Sequence, residues 1–233
     1  MKKVSLLLLV SFCAVSSFAQ NIQLHYDCGK DRGYLTSTVE LFKPDKLGST
    51  FFFIDMDYGS HDLKGVTLAY GEIARSFKVF KKLPNLQPRI EYNGGFTRLS
   101  KDLSIPIENA VLAGMQYTWN DESFSKVFTL QANYKYIQDK HNAAFQLTGV
   151  WGLHFFDRKL SLTGFADFWR EVNTVWDDNG AAHKTKYVFL AEPQVWYNFM
   201  PHFSVGSEVE MSSNFAGNKG FMANPTIAVK WTL

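Results

Sequence analysis

Apolar and polar positions alternate with period two along most of this chain, the pattern of β-strands that show a different face to each side of a sheet. Residues 35–58, LTSTVELFKPDKLGSTFFFIDMDY, show it most clearly. Leu35, Val39 and Leu41 oppose Thr36, Thr38 and Glu40. Further on, Phe52, Ile54, Met56 and Tyr58 oppose Phe51, Phe53, Asp55 and Asp57. Between the halves, KPDKLG supplies turn chemistry, with φ fixed at Pro44 and a permissive Gly48. This predicts a β-hairpin with one apolar face and one polar face that also carries aromatic rings.

The same period predicts further strands at 21–28, 66–80, 86–94, 111–119, 128–136, 145–155, 160–171, 187–199, 203–212 and 225–233. Residues 128–136 are the cleanest: Phe128, Leu130, Ala132, Tyr134 and Tyr136 alternate with Thr129, Gln131, Asn133 and Lys135. Residues 66–80 are the least clean. Val66, Leu68 and Tyr70 set an apolar phase, Glu72 shares it, and Ile73 and Phe77 fall out of it, which predicts a β-bulge near 70–77 or else a short helix. With the hairpin, the count reaches twelve strands. Short connections (KPDKLG, KKLPN, NDES, DRK, MPH) largely alternate with longer or Gly/Asn-rich ones (GSHDLKG, FTRLSKDLSIPIEN, VNTVWDDNGAAHKTK, NFAGNKG).

An even strand number with short turns at one end and longer loops at the other is the pattern of a transmembrane β-barrel. The expected fold is all-β: an antiparallel up-and-down barrel of about twelve strands over residues 20–233. Both termini should lie on the periplasmic side and the stretch 173–184 outside. The competing architecture, a soluble β-sandwich, also alternates but gives no reason for loop length to follow strand parity.

Composition sharpens this. The N-terminus reads as a secretory leader over residues 1–19: basic Lys2 and Lys3, an apolar run from Val4 to Val15, and the small-x-small site Ser17-Phe18-Ala19. The chain has 24 Lys+Arg and 22 Asp+Glu. The leader holds two of those bases and no acid, so the remainder carries 22 of each and gives no footprint for nucleic acid. Cys28 is then the only cysteine left, which precludes an internal disulfide. Aromatic residues make up 16% of the chain, which suits a surface in contact with lipid.

Several stretches resemble a known family. YLTSTVELFKPDKLGSTFFFIDMDYG followed by LAYGEIARSFKV is similar to the early hairpin and Glu-Ile segment of the nucleoside-specific channel family Tsx. LSLTGFADFWREVNTVWDD resembles its later Gly-Phe…Asp strand and acidic loop. The similarity is closer to an uncharacterised group of exported bacterial outer-membrane barrels related to Tsx. The resemblance implies a monomeric barrel with a narrow lumen that passes nucleosides, on a chain shorter than typical Tsx.

If the apolar faces meet lipid, the lumen is lined by Thr36, Thr38, Glu40, Phe51, Phe53, Asp55, Asp57, Arg89, Glu91, Gln131, Asn133, Lys135, Glu208, Glu210 and Lys230. Phe51 and Phe53 either offer stacking surfaces to a solute or pack against a loop or plug. Glu72 and Arg75 either bind a sugar or pair with each other. Asp167 and Trp169 form a polar handle beside a stacking ring, unless Trp169 sits in an interfacial belt. Glu192 and Trp196 share the parity of Gln194 and Asn198 and should face the lumen. The expected partners are outer-membrane lipid and a small hydrophilic solute, with no cofactor or metal. An enzyme is not expected, because the six histidines are dispersed and none stands at nucleophile or metal-ligand spacing. Two function classes follow: a passive solute channel, and a non-transport barrel that is structural, adhesive or lipid-modifying.

Overall fold

The computed structural model describes residues 19–30, 32–59 and 63–233, without the side chains of 19, 141 and 142. The expected leader lies outside the described residues except for Ala19, which opens the first strand. The strands are β1 (Ala19–Asp27), β2 (Leu35–Asp45), β3 (Gly48–Tyr58), β4 (Val66–Phe77), β5 (Leu86–Arg98), β6 (Ser104–Asn120) and β7 (Lys126–Ile137). There follow β8 (Lys140–Phe155), β9 (Leu160–Trp176), β10 (Ala182–Ala191), β11 (Gln194–Asn198), β12 (Phe203–Ser213) and β13 (Phe221–Thr232).

Apart from β10 and β11, consecutive strands pair antiparallel, and β1 closes on β13 with Asn21 opposite Thr232 and Asp27 opposite Thr226. Closure matters because an unpaired backbone group in hydrocarbon costs several kcal/mol. β10 and β11 lie end to end between β9 and β12, so thirteen strands build twelve staves. Pro193, which lacks an N–H, separates them, yet hydrogen bonds continue across the gap from the Glu192 N–H to the Phe165 carbonyl (3.0 Å) and from the Val209 N–H to the Pro193 carbonyl (3.1 Å). The expected single strand 187–199 is thus one stave with a proline break.

The distribution of side chains is inside out. Large apolar side chains are exposed on the outer surface, Leu130 at 66% and Ile227 at 69%, while Gln23, His25, Glu91, Asn133 and Gln146 are buried inside. A soluble sandwich would bury the first set and expose the second. The one described cluster of buried apolar residues is small: Ala110, Leu112 and Ile137. Outer aromatic rings gather near both ends. Trp231 meets Phe203 at 6.0 Å and Phe203 meets Phe199 at 5.6 Å at one end, while Phe168 stacks on Tyr187 at 5.6 Å towards the other. These are the aromatic girdles of a membrane-spanning barrel.

Two expectations need correction. The stretches 96–109 and 172–186 are not long loops: β5 and β6 stay paired to Arg98 opposite Ser104, and β9 and β10 to Trp176 opposite Ala182. The excess length becomes strands that run past the girdle, because backbone pairing also holds in water. In β4 there is neither helix nor bulge at 70–77; register is continuous from Leu68 to Phe77, and the irregularity lies at Val66. Leu68, Tyr70, Glu72, Ala74 and Ser76 all face inward, so the phase is constant and the lumen itself holds apolar bodies.

Candidate functional site

The lumen is built by inward positions from every stave. On β3, Phe51 and Phe53 point inward with ring centroids 5.9 Å apart, and Phe53 meets Tyr70 of β4 at 6.0 Å. Asp55 accepts a hydrogen bond from the Thr38 hydroxyl (2.5 Å) and Asp57 from the Thr36 hydroxyl (2.7 Å), both across the β2–β3 ladder. Glu72, opposite Phe53, accepts from the Tyr70 hydroxyl at 2.7 Å. The aromatic cluster and three carboxylates therefore share one stretch of wall.

Arg75 does not join them. It shares parity with Ile73 and Phe77, faces outward, pairs with Asp45 at 2.6 Å in the β2–β3 turn, and lies 5.7 Å from the Phe77 ring. Arg75 lies three positions after Glu72, and an odd offset in a strand puts the two on opposite faces. The expected Glu72–Arg75 pair is thus corrected.

On β9, Asp167 accepts from the Thr148 hydroxyl. Trp169, only 7% exposed, faces the lumen, which excludes the interfacial-belt position. Its indole N–H donates to Glu171 at 2.7 Å, and the Lys135 ammonium sits 4.4 Å from the ring centroid while donating to Gln146 at 2.8 Å. Trp196 repeats the arrangement across β11–β13: it is fully buried, its N–H donates to Gln194 at 2.9 Å, and the Lys230 ammonium lies 3.9 Å over it. Gly206 makes room for that indole, since a Cβ there would stand 2.5 Å from the Trp196 ring and 2.2 Å from the Val195 carbonyl oxygen. The Glu192 carboxylate, beside the Pro193 break, has no hydrogen-bond or ion-pair partner among the described residues.

The inward charges do not balance. Eleven described carboxylates face the lumen: Asp27, Glu40, Asp55, Asp57, Glu72, Glu91, Asp167, Glu171, Glu192, Glu208 and Glu210. Five bases share it: Arg32, Arg89, Lys135, Lys140 and Lys230. Arg32 bridges Asp27 (2.8 Å) and Glu210 (3.0 Å), Arg89 pairs with Glu91 (2.5 Å), and Lys140 with Glu171 (2.5 Å).

Sequence reasoning missed several lumen residues, Asp27, Lys140 and Glu171 among the charged ones, and three are instructive. Tyr70 was hidden by its apolar appearance, although it shares the parity of Glu72. Arg32 comes from the β1–β2 connection and folds back inside. Phe215 comes from the β12–β13 connection and packs edge-on against Trp169 at 6.0 Å, in a loop tied down by Trp176 N–H to Gly217 carbonyl (2.8 Å) and Lys219 N–H to Trp176 carbonyl (2.9 Å). Neither connection carries a periodic signal that would point inward. A histidine–serine contact also exists, His154 Nδ1 to Ser161 Oγ at 2.9 Å, but Ser161 is hydrogen-bonded by the Asn198 amide and no carboxylate among the described residues orients the imidazole.

A closed, apolar-coated barrel with a charged lumen defines a membrane-spanning barrel of the bacterial outer-membrane type. Residues 19–233 match the model of the family described as Domain of unknown function (DUF5020), and the chain belongs to that family. No curated protein matches. Among solved structures, the NanC porin superposes with a TM-score of 0.58 at 11% identity, covering 92% of this chain and 100% of that one. The KdgM porin gives 0.48 at 10% identity, with 92% and 99% covered, and Omp33 of Acinetobacter baumannii 0.43 at 13%, with 93% and 97%. The NanC match shows a shared fold.

Proposed function

We propose that this barrel is a passive outer-membrane channel for small hydrophilic solutes. One observation carries the reading: a ladder-closed wall whose outer face is apolar and whose inner face is hydrogen-bonding and charged. Lipid-modifying chemistry would want its nucleophile and base at the lipid-facing rim, and the His154–Ser161 contact lies on the inward face instead. An exported, monomeric chain freed of residues 1–19 fits the same reading. Reconstituted into liposomes, the full chain should admit small uncharged sugars at a rate that falls with solute size. Liposomes no leakier than empty ones would favour the structural or adhesive alternative.

The particular solute we propose is a nucleoside, in line with the Tsx resemblance. Supporting it, the Phe51–Phe53–Tyr70 cluster stands beside Asp55 and Glu72, so a base could stack while sugar hydroxyls donate to the carboxylates. Stacking a base on an aromatic is worth about 1–3 kcal/mol. A channel site has to stay weak so that its solute leaves. Adenosine should therefore reduce the ion current of the parent channel, and Phe51→Ala with Phe53→Ala should remove that block. A parent current indifferent to adenosine would leave a general pore and sink the nucleoside assignment.

A further inference from the structure

We infer that the lumen is cation-selective, holding cations over anions along its axis; this rests on the channel reading above. Every inward lysine and arginine among the described residues is already engaged. Arg32, Arg89 and Lys140 are paired with carboxylates, and Lys135 and Lys230 lie on tryptophan faces, whose negative quadrupole offsets part of their charge. The acids are not matched in return. Glu40, Asp55, Asp57, Glu72, Asp167 and Glu208 are bonded by neutral side chains, from Asn21, Thr38, Thr36, Tyr70, Thr148 and Gln194 in turn.

Glu192 stands out among them. Its carboxylate meets no donor from the described residues, and the ladder sets it beside Glu208 and Glu210, since Ala191 stands opposite Met211 and Gln194 opposite Glu208. Glu208 and Glu210 face inward two positions apart on β12, and Asp55 of β3 and Asp167 of β9 face the same lumen, so carboxylates from β3, β9, β12 and the β10–β11 break share it. Like charges brought together between low-dielectric walls repel strongly, and a mobile cation relieves that repulsion where no protein cation does. A ring of acidic side chains in a narrow pore filters for cations. An anion crossing here would find no unengaged lysine or arginine among the described residues.

The test is the reversal potential of the full chain in planar bilayers under a KCl gradient. We expect the potassium sign, with potassium favoured over chloride by about tenfold at low salt, the lower end of what a charge-lined cleft does to local ion concentration. The preference should shrink as salt rises and screening shortens. Combining Asp55→Asn, Glu192→Gln and Glu208→Gln should bring the ratio towards unity while current persists, and Glu122→Gln in the exposed β6–β7 turn should change nothing. Should the triple variant fail to insert, Glu192→Gln alone, which has no side-chain partner to lose, should still lower the ratio. A chloride-signed or null potential in the parent, or a ratio that the acid substitutions leave untouched, overturns the inference with the channel reading intact. Absence of any current overturns both.

Discussion

Staves β7 and β4 stand on the same barrel and obey the same register rules, yet only β7 is legible from hydrophobicity. In β7 the outer positions Phe128, Leu130, Tyr134 and Tyr136 are exposed to lipid, and the inner positions Gln131, Asn133 and Lys135 are buried and polar. In β4 the inner face holds Leu68, Tyr70, Glu72 and Ala74, and the outer face holds Ile73, Arg75 and Phe77. Alternation reads true wherever the two faces differ in chemistry. It blurs where the lumen employs apolar bodies, and those are the places where a solute would find a surface to stack on.

The largest effect should separate faces. Leu130→Arg near the bilayer midplane should cost about 2–4 kcal/mol, and Gln131→Arg far less. On β4 the contrast should fall between Ile73→Arg and Leu68→Arg, with the outward position the costly one although both residues are apolar. Urea titrations of refolding into lipid would read it. Equal costs at Ile73 and Leu68 would mean that β4 has been faced wrongly.

This contrast also explains how much was legible beforehand. The all-β class, the twelve staves, the hairpin pairing of Leu35 with Tyr58 and the inward facing of Phe51, Phe53, Asp55, Asp167 and Trp169 all follow from period two. The Glu72–Arg75 pairing failed because a short sequence distance suggested contact where strand geometry forbids it. Loop lengths failed because strands extending into water keep the same backbone ladder while their side chains lose the apolar phase, as in 96–98 with 104–109 and 172–176 with 182–186. Arg32 and Phe215 reach the lumen through irregular connections, and only three-dimensional closure reveals them.

Inward aromatics also need space, which a second substitution can sharpen. A Cβ at Gly206 would press into the Val195 carbonyl and the Trp196 ring. Gly206→Ala should therefore cost about 1–3 kcal/mol of overpacking and quench or shift Trp196 fluorescence. Glycine 149 of β8 would meet only the end of Leu130 at 3.9 Å, so Gly149→Ala should be near neutral. A reversed order would contradict the placement of Trp196.

Smaller still, Tyr70→Phe removes the donor to Glu72 and should cost about 1 kcal/mol, whereas Tyr134→Phe on the lipid side of β7 should cost less. The least effect belongs to the outer connections. His183 at 2.8 Å, with the Ala181 and Asn179 N–H groups, holds the Asp177 carboxyl below its ordinary value. A depressed carboxyl stabilises the native loop above its unfolded pKa and loses that contribution as pH falls through the native value. Protease access to 177–181 should thus be constant from neutral pH down to the ordinary carboxylate range and rise below it. Asp177→Asn should show the raised access already at neutral pH; identical profiles for parent and variant would remove Asp177 from the loop's anchoring.

The account stands or falls on the lumen being a water-filled path, and single-channel recording tests that most directly. Refolded full-length chain, verified as a closed barrel by its heat-sensitive mobility, should give discrete, reproducible conductance steps in a planar bilayer. A correctly folded, inserted barrel that passes no current at any voltage would contradict it.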